Sequence, residues 1–371
     1  MNQSRRFPRW GRWAIPAGAV AVVGMVIAGS MIAGAATAPA LPARSAAQLL
    51  TGIAGVTAPP ASLSGVIVDT ASLGLPQLPD TGGGPPGYSL LAGTHTFRVW
   101  YAGPEHVRIA VPVALGETDL RRDGRQVWLW DSGTQTATRI MLPARPAGPG
   151  AASPRVRVPL TPQQAARQVL AAVGPTTAVS VASNVSVAGQ AAYALVLVPK
   201  DHRSLVGQVQ IDVAARNGVP LRLQVFARGA STPAFQVGYT AIQFVTPAAA
   251  DLTFTPPPGA TVTQENLSGS DHGKAPDTNG VTTIGKDWLT VLKLSSSDLT
   301  AGPSGSGGPA SGDSSAVLRT LLAAATPVHG AWGSGKLLRT SLVTVLMTDS
   351  GPAYIGAVQP SVLYAAAAAG N

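Results

Sequence analysis

Cysteine is missing from all 371 residues. Disulfides, thiolate zinc sites, iron–sulfur clusters, a cysteine nucleophile and the acylated cysteine of a bacterial lipoprotein anchor are excluded with it. Charge is scarce as well, at 12% of residues, and only Glu105, Glu117 and Glu265 are glutamates. A glycosidase carboxylate pair therefore has little to be built from. The five histidines, at 95, 106, 202, 272 and 329, are dispersed and show no HExxH or other metal-ligand spacing. No run of Lys and Arg with interleaved aromatics is present, which argues against a nucleic-acid partner. The composition points to no catalytic residue, no metal and no cofactor.

What the chain does have is apolar material and turn formers. Hydrophobic residues make up 45% of it, enough for a sizeable core, and 42 Gly with 32 Pro call for long loops. The net charge of +9 is concentrated at the start: Arg5, Arg6, Arg9 and Arg12 precede the first acid, Asp69. Residues 14–38 then carry no charge, and small residues follow at Ala33-Gly34-Ala35 and Ala36-Thr37-Ala38. A basic segment, an apolar stretch of about 20 residues or more and small residues after it are the grammar of an export signal or an N-terminal membrane anchor. The positive-inside rule leaves the arginines in the cytoplasm and the rest of the chain outside.

The body reads as antiparallel sheet. A short helix is expected at 45–56. Strands are expected at 63–70, 94–101, 105–113, 117–122, 125–131 and 134–142, separated by Gly, Pro or Asp-Gly. Asp123-Gly124 is the strongest hairpin signal, because a type I′ turn needs positive φ at both central residues. Thr161, Pro162 and Gln164 form a capping box that opens a second helix at 163–173. Further strands are expected at 177–187, 190–199, 206–213, 219–228 and 234–245, with tight turns at Ala188-Gly189 and Asn217-Gly218.

Alternation along these strands sorts the side chains onto two faces. Odd positions collect Phe97, Val99, Tyr101, Val107, Ile109, Val111, Val127 and Leu129, then Val209, Ile211, Leu221, Leu223, Val225, Phe235, Val237 and Tyr239. Even positions collect Arg98, Arg108, Gln126, Gln208, Gln210, Arg222, Gln224 and Gln236. One face is greasy and the other wet. Only two short helices precede residue 250 to cover the greasy face. Either they cover all of it, or they leave a cleft of lipid size, in which case the odd-position residues (Val111 set aside) are its lining.

Residues 266–280 read as a linker, and 281–360 as a small β-α-β-β unit with a Gly/Ser-rich loop at 295–315, a helix at 315–325 and strands at 281–294, 336–348 and 353–358. Residues 361–371 read as a tail. The stretch 330–336 matches most of a phosphate-binding loop, but Leu337 stands where Ser or Thr would ligate magnesium, so it reads as a glycine hairpin beside Trp332. Trp128 and Trp130 are candidates either to line a cleft or to pack on the sheet.

Several segments carry a family resemblance. Residues 123–131 (DGRQVWLWD) with Gln135 resemble a hairpin of LolA-like chains, and Val209 to Asp212 with Asn217 to Arg222 resemble a hairpin shared by LolA-like and RseB-like proteins. Phe254 to Ala260 is similar to the end of their sheet. Trp288 and the segment 349–358 resemble the tail of DUF2092-type members of this extracytoplasmic lipoprotein-carrier superfamily. The resemblance implies an α+β fold: a curved antiparallel sheet, an incomplete, half-open β-barrel over about 41–265, with helices plugging its concave face. It also implies a non-enzymatic function. One form is a carrier that holds a lipid or lipoprotein acyl chain in the cleft. The other is an RseB-like sensor or regulator of a membrane-protein partner. A cell-envelope hydrolase is a remote third reading. If residues 45–56 and 163–173 fully cover the apolar face, the carrier reading fails.

Overall fold

The structure, a computed structural model, describes residues 39–55, 62–74, 93–113, 116–142, 161–171, 174–266, 282–295 and 323–369. The segment 1–38, and with it the apolar stretch 14–38, lies outside them, as do most of the expected linker at 266–280, of the loop at 295–315 and of the helix expected at 315–325. No helix among the described residues is long and apolar enough to cross a membrane. Everything described belongs to one compact unit, residues 39–371.

Two antiparallel meanders build a 13-stranded sheet. The first runs through β1 (Leu63–Ala71), β2 (Gly93–Tyr101), β3 (His106–Val113), β4 (Gly116–Asp123), β5 (Gln126–Asp131) and β6 (Thr136–Met141). In the second, β7 (Thr177–Val181) and β8 (Val185–Val187) both pair with β9 (Gln190–Pro199), followed by β10 (Val206–Ala214), β11 (Pro220–Ala227) and β12 (Pro233–Gln243). The meanders fuse because β1 pairs antiparallel with β12. β13 (Thr261–Asn266) then returns to lie parallel to β6, the one parallel pair in the sheet. β13 and β7 are the ends of the strand order, so the sheet is open and does not close into a barrel. This is the α+β, open half-barrel that the family resemblance implied.

Both early helices start from capping boxes. In α1 (Ala46–Gly55) the Gln48 amide donates to Ser45 Oγ and the Ser45 amide to Gln48 Oε1. In α2 (Pro162–Ala171) Thr161 and Gln164 exchange the same pair of bonds, at 3.0 and 3.3 Å. Each box satisfies two amides that have no partner inside the helix.

Local chemistry moves some boundaries. The β4–β5 hairpin forms where Asp123-Gly124 announced it, but Asp123 pairs with Gln126, so the two-residue loop is Gly124-Arg125. Only Gly124 has positive φ there, at 59°, which excludes type I′. Ala188-Gly189 is the turn with positive φ at both residues, 50° and 75°. The strand expected at 177–187 breaks into β7 and β8, and Asn184 in the break donates to Pro39 O.

A six-stranded second sheet has the order β14-β15-β19-β18-β17-β16. Its strands are β14 (Thr282–Ile284), β15 (Val291–Leu294), β16 (Thr326–Gly330), β17 (Gly333–Arg339), β18 (Thr344–Thr348) and β19 (Ala353–Gly356). The strand expected at 281–294 is interrupted by a 3-10 turn at Asp287–Leu289 after Gly285, which has φ 81°. The strand expected at 336–348 is a hairpin. Thr340 Oγ1 accepts from the amides of Leu342 and Val343 and donates to Val343 O, folding the chain back without Gly or Pro. Residues read as a tail instead form a helix, Pro360–Ala369, which packs on β18 and β19 and buries Leu363, Ala366 and Ala367.

Candidate functional site: the two faces of the large sheet

The register places the predicted lining residues on one face. Leu195, Ile211, Leu223 and Val237 are successive cross-strand partners, and Ile67 stands between Phe97 and Tyr239. Phe97, Val99, Ile109, Val209, Ile211, Leu221, Leu223, Val237 and Tyr239 are buried in a single core. Tyr101, Val107, Val225 and Phe235 are half-buried and pack against it. Val127 is buried and Leu129 half-buried, outside that cluster.

Three elements cover this face. α1 contributes Leu49, α2 contributes Ala165 and Ala166, and the tip of the β17–β18 hairpin contributes Leu342. Gln163 of α2 donates through Nε2 to Tyr239 Oη at 3.0 Å. Burial pushes the Tyr239 phenol up to about 12, and the hydrogen bond with Gln163 works against that shift. Ser341 of the hairpin tip donates its amide to Leu73 O at the end of β1. The second sheet is also tied to β9 and β10. The Leu205 amide donates to Ala357 O and the Gln359 amide to Arg203 O. Trp288 Nε1 donates to Thr177 Oγ1 at 2.7 Å.

One polar pair interrupts the apolar face. Asp69 follows Val237 in the same cross-strand row, and His95 follows Asp69. Asp69 is 5% exposed. Its Oδ1 lies 3.5 Å from His95 Nδ1, within ion-pair range, and neither atom has a hydrogen-bond partner among the described residues. Burial pushes the Asp69 carboxyl above its ordinary value, and His95 opposes the shift. Neither residue is among the lining candidates that the alternation supplies. The signal was there: Asp69 falls on the odd positions of β1, in line with Leu63, Ile67 and Ala71.

The opposite face carries a row of aromatic and basic side chains. Gln243, Ser64, Trp100, Arg108, Arg121, Trp128 and Arg139 are successive partners across β12, β1, β2, β3, β4, β5 and β6. Arg108 lies over the Trp100 ring at 4.3 Å. Asp119, 1% exposed, holds both Arg108 (3.0 Å) and Arg121 (2.7 Å), and Glu117 takes a further bond from Arg108. The segment after β12 lies over part of this face. Phe254 packs against Trp128 at 5.3 Å and Trp130 at 5.9 Å, Arg121 stacks over it, and Arg121 Nη1 donates to Thr253 O. Trp128 and Trp130 thus line no cleft in the apolar face; they pack on the other one.

The remaining sequence candidates resolve into structure. Residues 330–333 are the turn of the β16–β17 hairpin, and Trp332 is buried in a stack on Tyr364 at 5.5 Å. No group of three or more His, Asp or Glu among the described residues is placed to hold a metal ion.

An open, mostly antiparallel sheet with one packed apolar face and a second sheet docked on it is the class of architecture these residues define. No family model matches the chain, and no curated protein matches it. Among solved structures it is similar to MucB in complex with MucA(peri), at 15% identity over 87% of this chain and 97% of that one, with a TM-score of 0.41. It is also similar to the MucA/MucB complex of Pseudomonas aeruginosa, at 13% identity over 87% and 96%, with a TM-score of 0.42. A LolA superfamily protein from Nitrosomonas europaea is similar at 12% identity over 57% and 99%, with a TM-score of 0.23. What MucB binds is a property of MucB.

Proposed function

We propose that this chain is an exported, non-enzymatic binding protein that acts as a sensor or regulator through a protein partner at the membrane. The observation that carries this reading is the cover of the apolar face. Ile67, Leu195, Leu197, Ile211, Leu221 and Leu223 are less than 2% exposed or close to it, under α1, α2 and Leu342. A resident acyl chain needs apolar area left open to it, and burying a large aliphatic side chain already stabilises the fold by about 1.5–3 kcal/mol. The docked second sheet adds surface, and no group of metal ligands is found among its described residues. Open strand edges add a means of contact. β13 pairs with β6 alone, and its Val262 is 52% exposed. An extended segment of a partner adds to such an edge through main-chain bonds.

The carrier reading keeps one support. At the start of α2 the face is covered by Gln163, Ala165 and Ala166, a light cover at that point for an acyl chain to displace. Lining residues from Phe97 to Tyr239 are then the seat.

Two measurements separate these readings. Photo-crosslinking from Val262 in the native host is expected to give discrete protein adducts, with native mass spectra of the exported chain free of lipid. A stoichiometric lipid or acylated peptide in those spectra, without adducts from the edge, overturns the regulator reading in favour of the carrier.

A further inference from the structure

The wet face holds a trough that neither reading uses. It has a volume of about 230 Å3 and lies over β12, β1 and β2. Its floor is made by Ser64, Val66 and Ala241 with the backbone of Gly65 and Ile242 between them, Ser64 and Ala241 being the smallest side chains there. Arg98 and Trp100 form one wall and Gln243 stands on the other.

Each part has a definite chemistry. Trp100 pairs with Arg108 on β3 and with Ser64 on β1. Arg108, fixed by Asp119 and Glu117, therefore occupies the ring from the β3 side, and the trough lies toward β1. Arg108 packs on the ring before any ligand arrives, which lowers the ordering cost of binding. Arg98 is exposed and has no ion pair or hydrogen bond among the described residues, unlike Arg108, Arg121 and Arg222 on the same face. Ser64 and Gln243 supply hydroxyl and amide groups. β1 is an interior strand with both edges paired, so the floor offers no free backbone groups to an extended peptide.

We infer that this trough binds a single pyranose ring bearing an anionic substituent, as a unit of an extracytoplasmic glycan. The apolar face of the ring stacks on Trp100, its edge hydroxyls meet Ser64 and Gln243, and the anion takes the forked donors of Arg98. The volume is below the roughly 300–1,000 Å3 of sites for drug-sized ligands, which suits one ring rather than a longer molecule. This inference is independent of the function proposed above.

Titration calorimetry on the full chain, with glucuronate, glucose 6-phosphate, glucose and tetraglutamate as probes, tests it. At least one charged sugar is expected to bind, and to bind about tenfold more tightly than glucose; which one does so identifies the anion as carboxylate or phosphate. Arg98→Gln is expected to bring the charged sugar to the glucose level without changing the far-ultraviolet spectrum or the melting temperature. Trp100→Ala should abolish binding of every sugar, and Trp100→Phe should restore part of it. Absence of sugar binding at millimolar concentrations overturns the inference. So does charged-sugar binding that Arg98→Gln leaves intact. Tighter binding of tetraglutamate than of either charged sugar assigns the trough to an acidic peptide and overturns it as well.

Discussion

Gln163 on α2 donates to the phenol of Tyr239 on β12 at 3.0 Å, a buried hydrogen bond between a helix and the strand beneath it. Ala165 and Ala166 pack beside it, and this bond ties α2 to the sheet. It also explains why a Tyr is tolerated among Val237, Leu223 and Ile67. A buried hydroxyl without a partner costs about 1–3 kcal/mol, and Gln163 removes that cost.

Removing the partner should therefore be expensive and removing both should be cheap. Gln163→Leu is expected to lower stability by about 1–3 kcal/mol, while Gln163→Leu with Tyr239→Phe recovers most of the loss. Urea unfolding of the four proteins of the cycle measures this. Alkaline titration gives an independent readout. The folded phenol is raised to about 12 from 10.0, so the unfolded chain ionises first. The stability associated with the neutral phenol is then complete below pH 10 and lost as pH rises toward 12, a loss that Tyr239→Phe abolishes.

Asp69 behaves in the opposite sense to a surface carboxylate. Its folded carboxyl is raised above 3.8 by burial, so the native state binds the proton more tightly than the unfolded chain. Ionisation costs nothing below pH 3.8, and its cost grows as pH rises through the folded value. Asp69→Asn is expected to melt higher than the parent at pH 7, with the difference vanishing near pH 3. A parent that gains stability relative to the variant on going from pH 3 to pH 7 contradicts this assignment.

Ala188 is held at φ 50° in the β8–β9 turn. A left-handed conformation costs a residue with a Cβ about 1–2 kcal/mol, and glycine avoids the cost while losing more chain entropy on folding. Ala188→Gly is expected to raise stability by about 1 kcal/mol or less, measured as a rise in the urea midpoint at unchanged slope.

Much of this architecture is legible in the sequence because alternation of side chains is a strong signal where one face is buried. β2, β9, β10 and β12 fall where Phe97, Gln190, Val206 and Ala234 mark them. The capping box at Thr161 is legible for the same local reason. Tertiary features are not. The turn at Thr340 rests on one hydroxyl, and nothing in the hydropathy of 336–348 separates it from a strand. The helix at Pro360–Ala369 has Pro at its first position and a run of Ala, so the signal for it is present, yet its place against β18 is set by the fold. Alternation also leaves open whether an apolar face is a cleft or a core, because that depends on Leu342, a residue more than a hundred positions away from Leu223 in the chain.

Leu342 is accordingly the place to separate the two sheets. It is 7% exposed, at the tip of a hairpin whose backbone is tied to Leu73. Leu342→Ala is expected to cost about 2–5 kcal/mol, and Leu342→Asp to expose the second sheet to proteolysis while the large sheet stays folded. Fragment masses after limited digestion read this directly.

Leu223 and Val225 decide between core and cleft, since they sit two residues apart on the same face of β11. Leu223 is 2% exposed between Ile211 and Val237, whereas Val225 is half-buried between Val209 and Phe235. The row neighbours of Leu223 are Ile211 and Val237, which offer a charge no counter-ion, so Leu223→Asp is expected to prevent folding. Val225→Asp can turn its carboxylate to solvent and is expected to fold with a loss of about 1–3 kcal/mol. Circular dichroism and thermal melting of the two variants are the measurements. If Leu223→Asp folds as the parent does, the face admits water, and an open apolar seat replaces the packed core.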